Sequence, residues 1–303
     1  MVVETARSAD ELTALARRAE EFGYATVTLR DHVIAGPFGD QLAPMVAPTA
    51  AVCATRALRV GTLALANDYR HPVMPAKEAA PLDQVSGGRF ELGLGAGRLR
   101  EEYLRAGLPF DPPRVRVDRL EESVQMLRGL LGGEKVTLTG RYYSVRDLAV
   151  FPRPAARPPL LIGAGGMRML GLAGRHADIV GVLPRALPDG TISDEITERL
   201  PGTIARKVDR VRAEGRDVEL SMLVSPAFGP DPRTAAARAA VRRGWGASSA
   251  ELVPDMPSQF VGPPDHIAEQ MVARRETYGF SYYVVPDGQM EQFAPVVAAL
   301  TGR

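Results

Sequence analysis

Asp31 and His32 are adjacent in the sequence, follow a short apolar segment, and are the pair in this chain best suited to acid–base chemistry. An unperturbed imidazole has a pKa of about 6.5, so it can take up or release a proton at neutral pH. A histidine after a strand is, by itself, more often an ordinary loop residue. The residue types alone therefore leave open whether His32 carries a proton or is structural.

Two glycine-rich segments, Gly95-Ala96-Gly97 and Gly163-Ala164-Gly165-Gly166, each follow a short apolar run. Small residues let a ligand approach the backbone, and consecutive amide N–H groups can cradle a phosphate. The second segment leads directly into a predicted helix over 167–176, where free N–H groups and the positive helix end coincide. Either segment alone could be a tight turn. The two together predict a phosphate site.

The elements that must position these residues alternate between helix and strand. The segment Tyr69 to Arg98 predicts a helix, a turn at Gly87-Gly88, a buried strand and a glycine-rich loop. The same rhythm predicts strands at 25–29, 58–65, 90–94, 159–162, 179–183, 218–224 and 280–285. It predicts helices at 9–22, 44–55, 114–131, 167–176, 194–214, 264–278 and 290–300, with others within 232–253. Such alternation indicates a parallel sheet, and a closed (β/α)8 TIM barrel is the economical α/β fold; an open doubly wound sheet is the competitor.

An eighth strand is needed before the first helix, and Val2 and Val3 are the only β-favouring pair there. Either this first strand is very short or the chain begins late relative to a natural start. We therefore expect a barrel with an abbreviated first strand.

Composition narrows the class of protein. The 303 residues, 45% of them hydrophobic, suit one large domain or two smaller ones, and we expect a single domain spanning 1–303. Lys+Arg 37 against Asp+Glu 36 gives no electrostatic reason to expect a nucleic acid or membrane partner. A single cysteine excludes an intrachain disulfide framework, and without a signal peptide or transmembrane run we expect the cytoplasm. No residue cluster has metal-ligand spacing and no Gly-x-Ser-x-Gly elbow occurs, so we expect neither a metal enzyme nor a serine hydrolase.

Several sequence motifs, taken together, resemble those of a known family. They are DHV at 31–33, RHP at 70–72, LDQVSGGRFELGLGAG at 82–97, EEYLRAGLPFD at 101–111, RVDRLEESVQMLR at 116–128 and PPLLIGAGG at 158–166. These resemble the bacterial-luciferase-like superfamily, and within it the actinobacterial group that depends on the deazaflavin coenzyme F420.

The resemblance implies a TIM barrel with the cofactor at the carboxyl ends of the strands. The cofactor ring would pack on a bulge in the third strand, at Leu63, Ala64 and Asn67, with a cis non-proline peptide near Leu63–Ala64. The phosphate end would meet Ala96 and Gly97 and the segment Gly163 to Gly166. His32 and Asp31 would touch the ring and the substrate, with His32 as the proton donor or acceptor in hydride transfer and Asp31 orienting the backbone or the imidazole. A homodimer is also implied.

The implied reaction is hydride transfer between F420 and a small metabolite: an alkene, imine, carbonyl or alcohol. A reduced-FMN monooxygenase is the alternative, and a non-catalytic flavin-binding protein is a third hypothesis. In the F420-dependent sugar-phosphate dehydrogenases a catalytic glutamate follows the glycine-rich loop, whereas this chain has Arg98. Arg98 would meet an anionic group of the substrate or cofactor tail, or merely solvate a loop, and Tyr103 would face the pocket. The long loops 183–194 and 244–263 would cover the pocket. Trp245 and Met256 would either line this pocket or cap a dimer interface.

Overall fold

The computed structural model describes residues 1–36 and 38–302. The strands are β1 (Val2–Val3), β2 (Thr26–Leu29), β3 (Arg59–Thr62), β4 (Leu65–Ala66), β5 (Phe90–Gly95), β6 (Val136–Thr139), β7 (Ser144–Leu148), β8 (Leu160–Ala164), β9 (Ile179–Val182), β10 (Glu219–Leu223), β11 (Ser225–Phe228), β12 (Gln259–Gly262) and β13 (Phe280–Val284). The α-helices are α1 (Ala9–Glu21), α2 (Ala47–Ala54), α3 (Val73–Ser86), α4 (Arg100–Arg105), α5 (Pro113–Leu131), α6 (Met167–His176), α7 (Pro201–Arg212), α8 (Pro232–Arg242), α9 (Pro264–Tyr278) and α10 (Met290–Leu300). Short 3₁₀ segments lie at Asn67–Tyr69, Ile196–Glu198, Ala247–Asp255 and Asp287–Gln289.

The parallel strands form a ring in the order β1, β2, β3, β5, β8, β9, β10, β13, with β4 pairing beside β5. The ring closes between its first and last members, because the Val2 amide donates to the Val285 carbonyl at 2.9 Å and Val2 bridges Pro286. The predicted (β/α)8 barrel and its abbreviated first strand are therefore confirmed. Because all strands of the ring are parallel, their carboxyl ends share one edge, and the loops that follow them meet there.

Local sequence explains where several helices begin and end. The Ser8 hydroxyl caps α1 by accepting from the Glu11 amide at 3.1 Å, and α3 ends at Gly87, whose φ of 65° is left-handed. The helices predicted at 167–176, 264–278 and 290–300 are observed with those bounds. The helix predicted from residue 194 begins only at Pro201, because proline is favoured at a first helical position and cannot donate within the turn before it.

The predicted third strand, 58–65, is split into β3 and β4 by a bulge in which the Leu63–Ala64 peptide is cis. Gly93 of β5 lies against this region, and a Cβ there would overlap the Thr62 carbonyl oxygen. The Thr62 hydroxyl bonds both the amide of Gly93, at 2.8 Å, and its carbonyl, at 2.9 Å. The bulge is therefore fixed by close backbone packing on the next strand.

The region 244–263 differs from the loop that the sequence predicted. It contains the 3₁₀ segment Ala247–Asp255 and β12, which pairs in parallel with β11. Met256 and Val253 have no exposed surface, so Met256 packs inside the protein instead of lining a pocket. The expectation failed because Pro and Gly residues were taken as signs of a loop, although the apolar residues among them bury a small second cluster with α8.

Candidate functional site

His32 and Glu102 form the central hydrogen-bonded pair at the carboxyl edge of the barrel. His32 follows β2, and Glu102 lies on α4 just after β5. The imidazole Nδ1 is 3.0 Å from Glu102 Oε1 and 3.1 Å from Oε2, and the side chains are 10% and 2% exposed. Glu102 thus holds the ring through Nδ1 and leaves Nε2 as the nitrogen that can exchange a proton with a ligand.

Glu102 has two further donors, the Val33 amide at 3.0 Å and the Tyr69 hydroxyl at 2.9 Å. Burial by itself would raise the pKa of the Glu102 carboxyl, but its hydrogen bond and charge interaction with His32, followed by the bonds from Tyr69 and Val33, lower it overall. The Tyr69 hydroxyl has a raised pKa because of its burial and its bond to Glu102. The carboxylate is therefore charged at neutral pH, and Tyr69 donates to it.

Phe38 covers the imidazole. Its ring stacks on His32 with centroids 4.4 Å apart, and the guanidinium groups of Arg30 and Arg98 lie 4.7 Å and 5.2 Å from the Phe38 centroid. Arg30 pairs with Glu4 at 2.9 Å. Burial lowers the pKa of Arg98 and the like charge of Arg30 adds to this, while Glu102 and Tyr69 oppose it. The predicted site residue Arg98 thus lies beside Phe38, the same ring on which His32 stacks.

Asp31 orients the backbone rather than the imidazole. Its carboxylate accepts two bonds from Arg70, at 2.6 Å and 2.9 Å, and a third from the Ala66 amide at 2.9 Å. Ala66 is the last residue of β4, directly after the Leu63–Ala64 bulge. Asp31 therefore ties the loop after β2 to the bulge.

Of the remaining bulge residues, Leu63 and Ala64 are partly exposed, whereas Asn67 is 4% exposed and its amide donates to the Tyr143 hydroxyl at 3.3 Å. Leu63 and Ala64 present a small apolar surface at the carboxyl edge. Asn67 fastens this surface to the β6–β7 hairpin.

The loop Ala96-Gly97 rests on Tyr103. Gly97 has a φ of 73°, and a Cβ on it would overlap the Tyr103 hydroxyl oxygen, so this approach requires glycine. Tyr103 has no exposed surface and donates to Asp68 at 3.1 Å. Arg116 bonds the Gly97 carbonyl from α5. Tyr103 thus supports the loop from beneath and does not face the pocket in this structure.

The segment Gly163 to Gly166 forms the end of β8 and the N-cap of α6. Gly166 supplies no side-chain cap, so the amides of the first helical turn are available at this edge. A Cβ on Gly165 would overlap the Pro184 carbonyl oxygen, whereas one on Gly166 would meet no atom within 4 Å. Ala164 is buried in β8, which leaves backbone rather than side chain to meet a ligand.

A hairpin over 185–193 crosses this edge. The Leu187 amide donates to the Thr191 carbonyl at 2.8 Å, and the Ser193 amide to the Arg185 carbonyl at 2.9 Å. Its tip, Gly190, lies so close to the loop after β5 that a Cβ would overlap the Arg98 carbonyl oxygen. Together with Pro184, which packs on Gly165, the hairpin spans both glycine-rich loops. The predicted covering loop 183–194 takes this form.

Sequence reasoning missed Glu102, Tyr69 and Phe38. Glu102 lies in the first turn of a six-residue helix, which is too short for a periodic signal, and its partner is 70 positions away in the sequence. The usable signal was the acidic pair Glu101-Glu102 directly after the glycine-rich loop, where one carboxylate must face the strand edge. Among residues 1–36 and 38–302 no group of three or more His, Cys, Asp or Glu side chains could hold a metal ion.

Comparison with known proteins places the chain in a family. The model of the family described as Luciferase-like monooxygenase matches residues 2–282. The chain belongs to this family.

Two relatives match over most of the chain. The F420-dependent glucose-6-phosphate dehydrogenase of Microbacterium testaceum (strain StLB037) is 29% identical over 95% of this chain and 84% of its own length. That of Beutenbergia cavernae is 32% identical over 78% of this chain and 69% of its own. The F420-dependent hydroxymycolic acid dehydrogenase of Mycobacterium tuberculosis is 34% identical, over 56% of this chain and 48% of its own length.

Solved structures support the fold. An F420-dependent secondary alcohol dehydrogenase in complex with an F420-acetone adduct superposes with a TM-score of 0.73 at 19% identity, covering 98% of both chains. The monooxygenase RslO1 from Streptomyces bottropensis gives the same TM-score at 22% identity over 96% of this chain and 92% of its own.

Proposed function

We propose that this chain is an F420-dependent oxidoreductase that transfers a hydride between the deazaflavin and a small organic metabolite, an alkene, imine, carbonyl or alcohol. The observation that carries the proposal is the buried His32–Glu102 pair, 3.0 Å apart, at the edge where the bulge and both glycine-rich loops meet. Relatives that match over most of the chain bear the name F420-dependent dehydrogenase, which supports the choice of cofactor.

Three features of the described residues fit such a cofactor. The Leu63–Ala64 bulge offers a partly exposed apolar surface for a flat ring. Gly97 and Gly165 let their loops pack closely on Tyr103 and Pro184, and a Cβ on Gly166 would meet no atom within 4 Å, so a ligand can approach the backbone there. The first turn of α6 offers free amides and a positive helix end to a phosphate. When bound, the deazaflavin supplies a hydride donor or acceptor.

The chain's own residues supply the proton and shield the site from water. His32 holds or releases a proton at Nε2 while Glu102 fixes Nδ1 and stabilises the charged imidazole. Asp31 holds the bulge through the Ala66 amide. Phe38 and the 185–193 hairpin limit water at this edge.

A titration with F420 and with FMN, in both redox states and followed by fluorescence, tests the cofactor. We expect preference for F420, and His32→Ala to bind F420 as the wild type does while losing reduction of a panel of alkenes, imines and carbonyls. Preference for FMN would favour a reduced-FMN monooxygenase, the class suggested by a 4-hydroxyprotoasukamycin monooxygenase from Streptomyces nodosus that is 32% identical over 68% of this chain and 54% of its own length. Binding without any turnover would favour a non-catalytic flavin-binding protein.

We also propose that the chain works in the cytoplasm as a single domain over 1–303 and as a homodimer. Exposed apolar side chains on neighbouring helices, Val46 at the start of α2 and Met74 and Val85 on α3, support an interface between copies. Within the described ranges no helix is long and apolar enough to cross a membrane. Sedimentation velocity at several concentrations checks the dimer.

A further inference from the structure

Arg98 is a cation without a carboxylate partner in the candidate site. Its guanidinium is partly buried, lies 5.2 Å from the Phe38 ring centroid, and makes one side-chain hydrogen bond, to the Gly190 carbonyl at 3.3 Å. In the part of the chain that the structure describes, no Asp or Glu lies within ion-pair distance of it. A guanidinium has five N–H donors, so most of the hydrogen-bonding capacity of Arg98 is unused.

The neighbouring charged groups have closer partners than Arg98. Arg30 pairs with Glu4 at 2.9 Å, and the Glu102 carboxylate accepts from His32 at 3.0 Å. Glu102 acts on Arg98 only through its charge at longer range, so no carboxylate bonds the Arg98 guanidinium directly. Removing an unpaired charge from water is costly, so an anion that entered beside it would restore an interaction that the protein itself does not supply.

We propose that Arg98 binds a carboxylate of the substrate, so that this enzyme acts on monoanionic carboxylic acids. The inference rests on the proposed function, because it assigns a substrate class to the same site. A single guanidinium matches a monoanion, whereas a phosphate monoester would bring about two negative charges into a region that already holds the Glu102 carboxylate. The planar guanidinium fork also matches a carboxylate bidentately.

Arg98 and His32 share one aromatic neighbour. The imidazole of His32 stacks on Phe38, and the guanidinium of Arg98 lies 5.2 Å from the centroid of the same ring. A small acid held by its carboxylate at Arg98 would therefore lie beside Phe38, which separates it from His32 by no more than one aromatic ring. The Gly190 carbonyl holds the guanidinium from the side of the 185–193 hairpin and so fixes the direction of its free donors.

The experiment measures anion binding directly, without turnover. Propionate is titrated into ¹⁵N-labelled protein while the Arg98 Nε–H resonance is followed. Propionamide is the uncharged control, and chloride, at equal ionic strength, is the anion without a planar carboxylate. We expect a saturable shift with propionate alone. Affinity should fall by at least about tenfold in Arg98→Gln, and Arg98→Lys should keep charge but lose bidentate geometry and bind at an intermediate strength. Arg100→Gln, an exposed arginine two positions away, is the matched control and should bind as the wild type does.

Two results would overturn the assignment. If the Arg98 resonance does not shift with propionate, the guanidinium serves only to link the 185–193 hairpin to the loop after β5. Competition between F420 and propionate would mean that Arg98 serves the cofactor tail, whereas undiminished propionate binding in the presence of F420 supports a substrate site. Failure of F420 to bind at all would refute the proposed cofactor and leave the propionate result readable, so the two failures are distinguishable.

Discussion

Replacing Glu102 tests whether the His32 pair organises the site. Three donors converge on this carboxylate, from His32, Val33 and Tyr69, and its side chain is 2% exposed. Glu102→Ala orphans all three, at about 1 to 2 kcal/mol each, and we expect the free energy of unfolding to fall by about 3 to 5 kcal/mol.

Glu102→Gln separates geometry from charge. Its oxygen can still accept from His32 and Val33, and its amide can face the Tyr69 hydroxyl, which turns to accept. We therefore expect a loss of only about 1 to 2 kcal/mol, which is the contribution of the charge. Urea unfolding at pH 7 gives both values, and a double-mutant cycle with His32→Ala should give a coupling of about 1.5 to 3 kcal/mol.

The matched control is Glu101→Gln, on the same helix. Its side chain is 58% exposed and pairs with Arg105 alone, so we expect no measurable change. A coupling between Glu102 and His32 below about 0.5 kcal/mol would refute the reasoning, because that is the value of an exposed pair.

The other predictions concern the glycine-rich loops, the bulge and the dependence of stability on pH. Gly97→Ala places a methyl group on the Tyr103 hydroxyl and should weaken cofactor binding by about tenfold or more, with partial recovery in the double variant with Tyr103→Phe; no recovery would argue against the overlap. Asp31→Asn breaks a buried ion pair with Arg70 and should destabilise the protein by about 3 kcal/mol in thermal unfolding, and an unchanged melting temperature would contradict this. Because the folded-state pKa of Glu102 is lowered from 4.5, its stabilisation is complete above that pH and is lost as the pH falls through the lower folded value. The stability difference between wild type and Glu102→Gln should therefore shrink in titrations below about pH 4, and a difference that grows instead would show the sign to be wrong.

The sequence predicted those parts of the fold and the candidate site that depend on local sequence patterns. Alternating helices and strands define a barrel, and glycine after a strand marks the loops at Gly97 and Gly165 because backbone demands there are local. The role of Glu102 was not predicted because it depends on His32. Only the closed barrel brings the two side chains within 3.0 Å of each other. Tyr103 was expected in the pocket and instead lies beneath it, since its place depends on how α4 packs under the Gly97 loop. Met256 was misread for the same reason, because tertiary packing decides which apolar residues of an irregular segment are buried.

The 185–193 hairpin has a kinetic consequence. Its base packs through Pro184 on Gly165, at the proposed phosphate site, and its tip, Gly190, packs on Arg98, at the proposed carboxylate site. If both proposals hold, this one segment borders the cofactor and the substrate, and we expect it to move when either ligand leaves. Product departure and coenzyme exchange then share one opening event, which would make their off-rates rise and fall together when the hairpin is loosened.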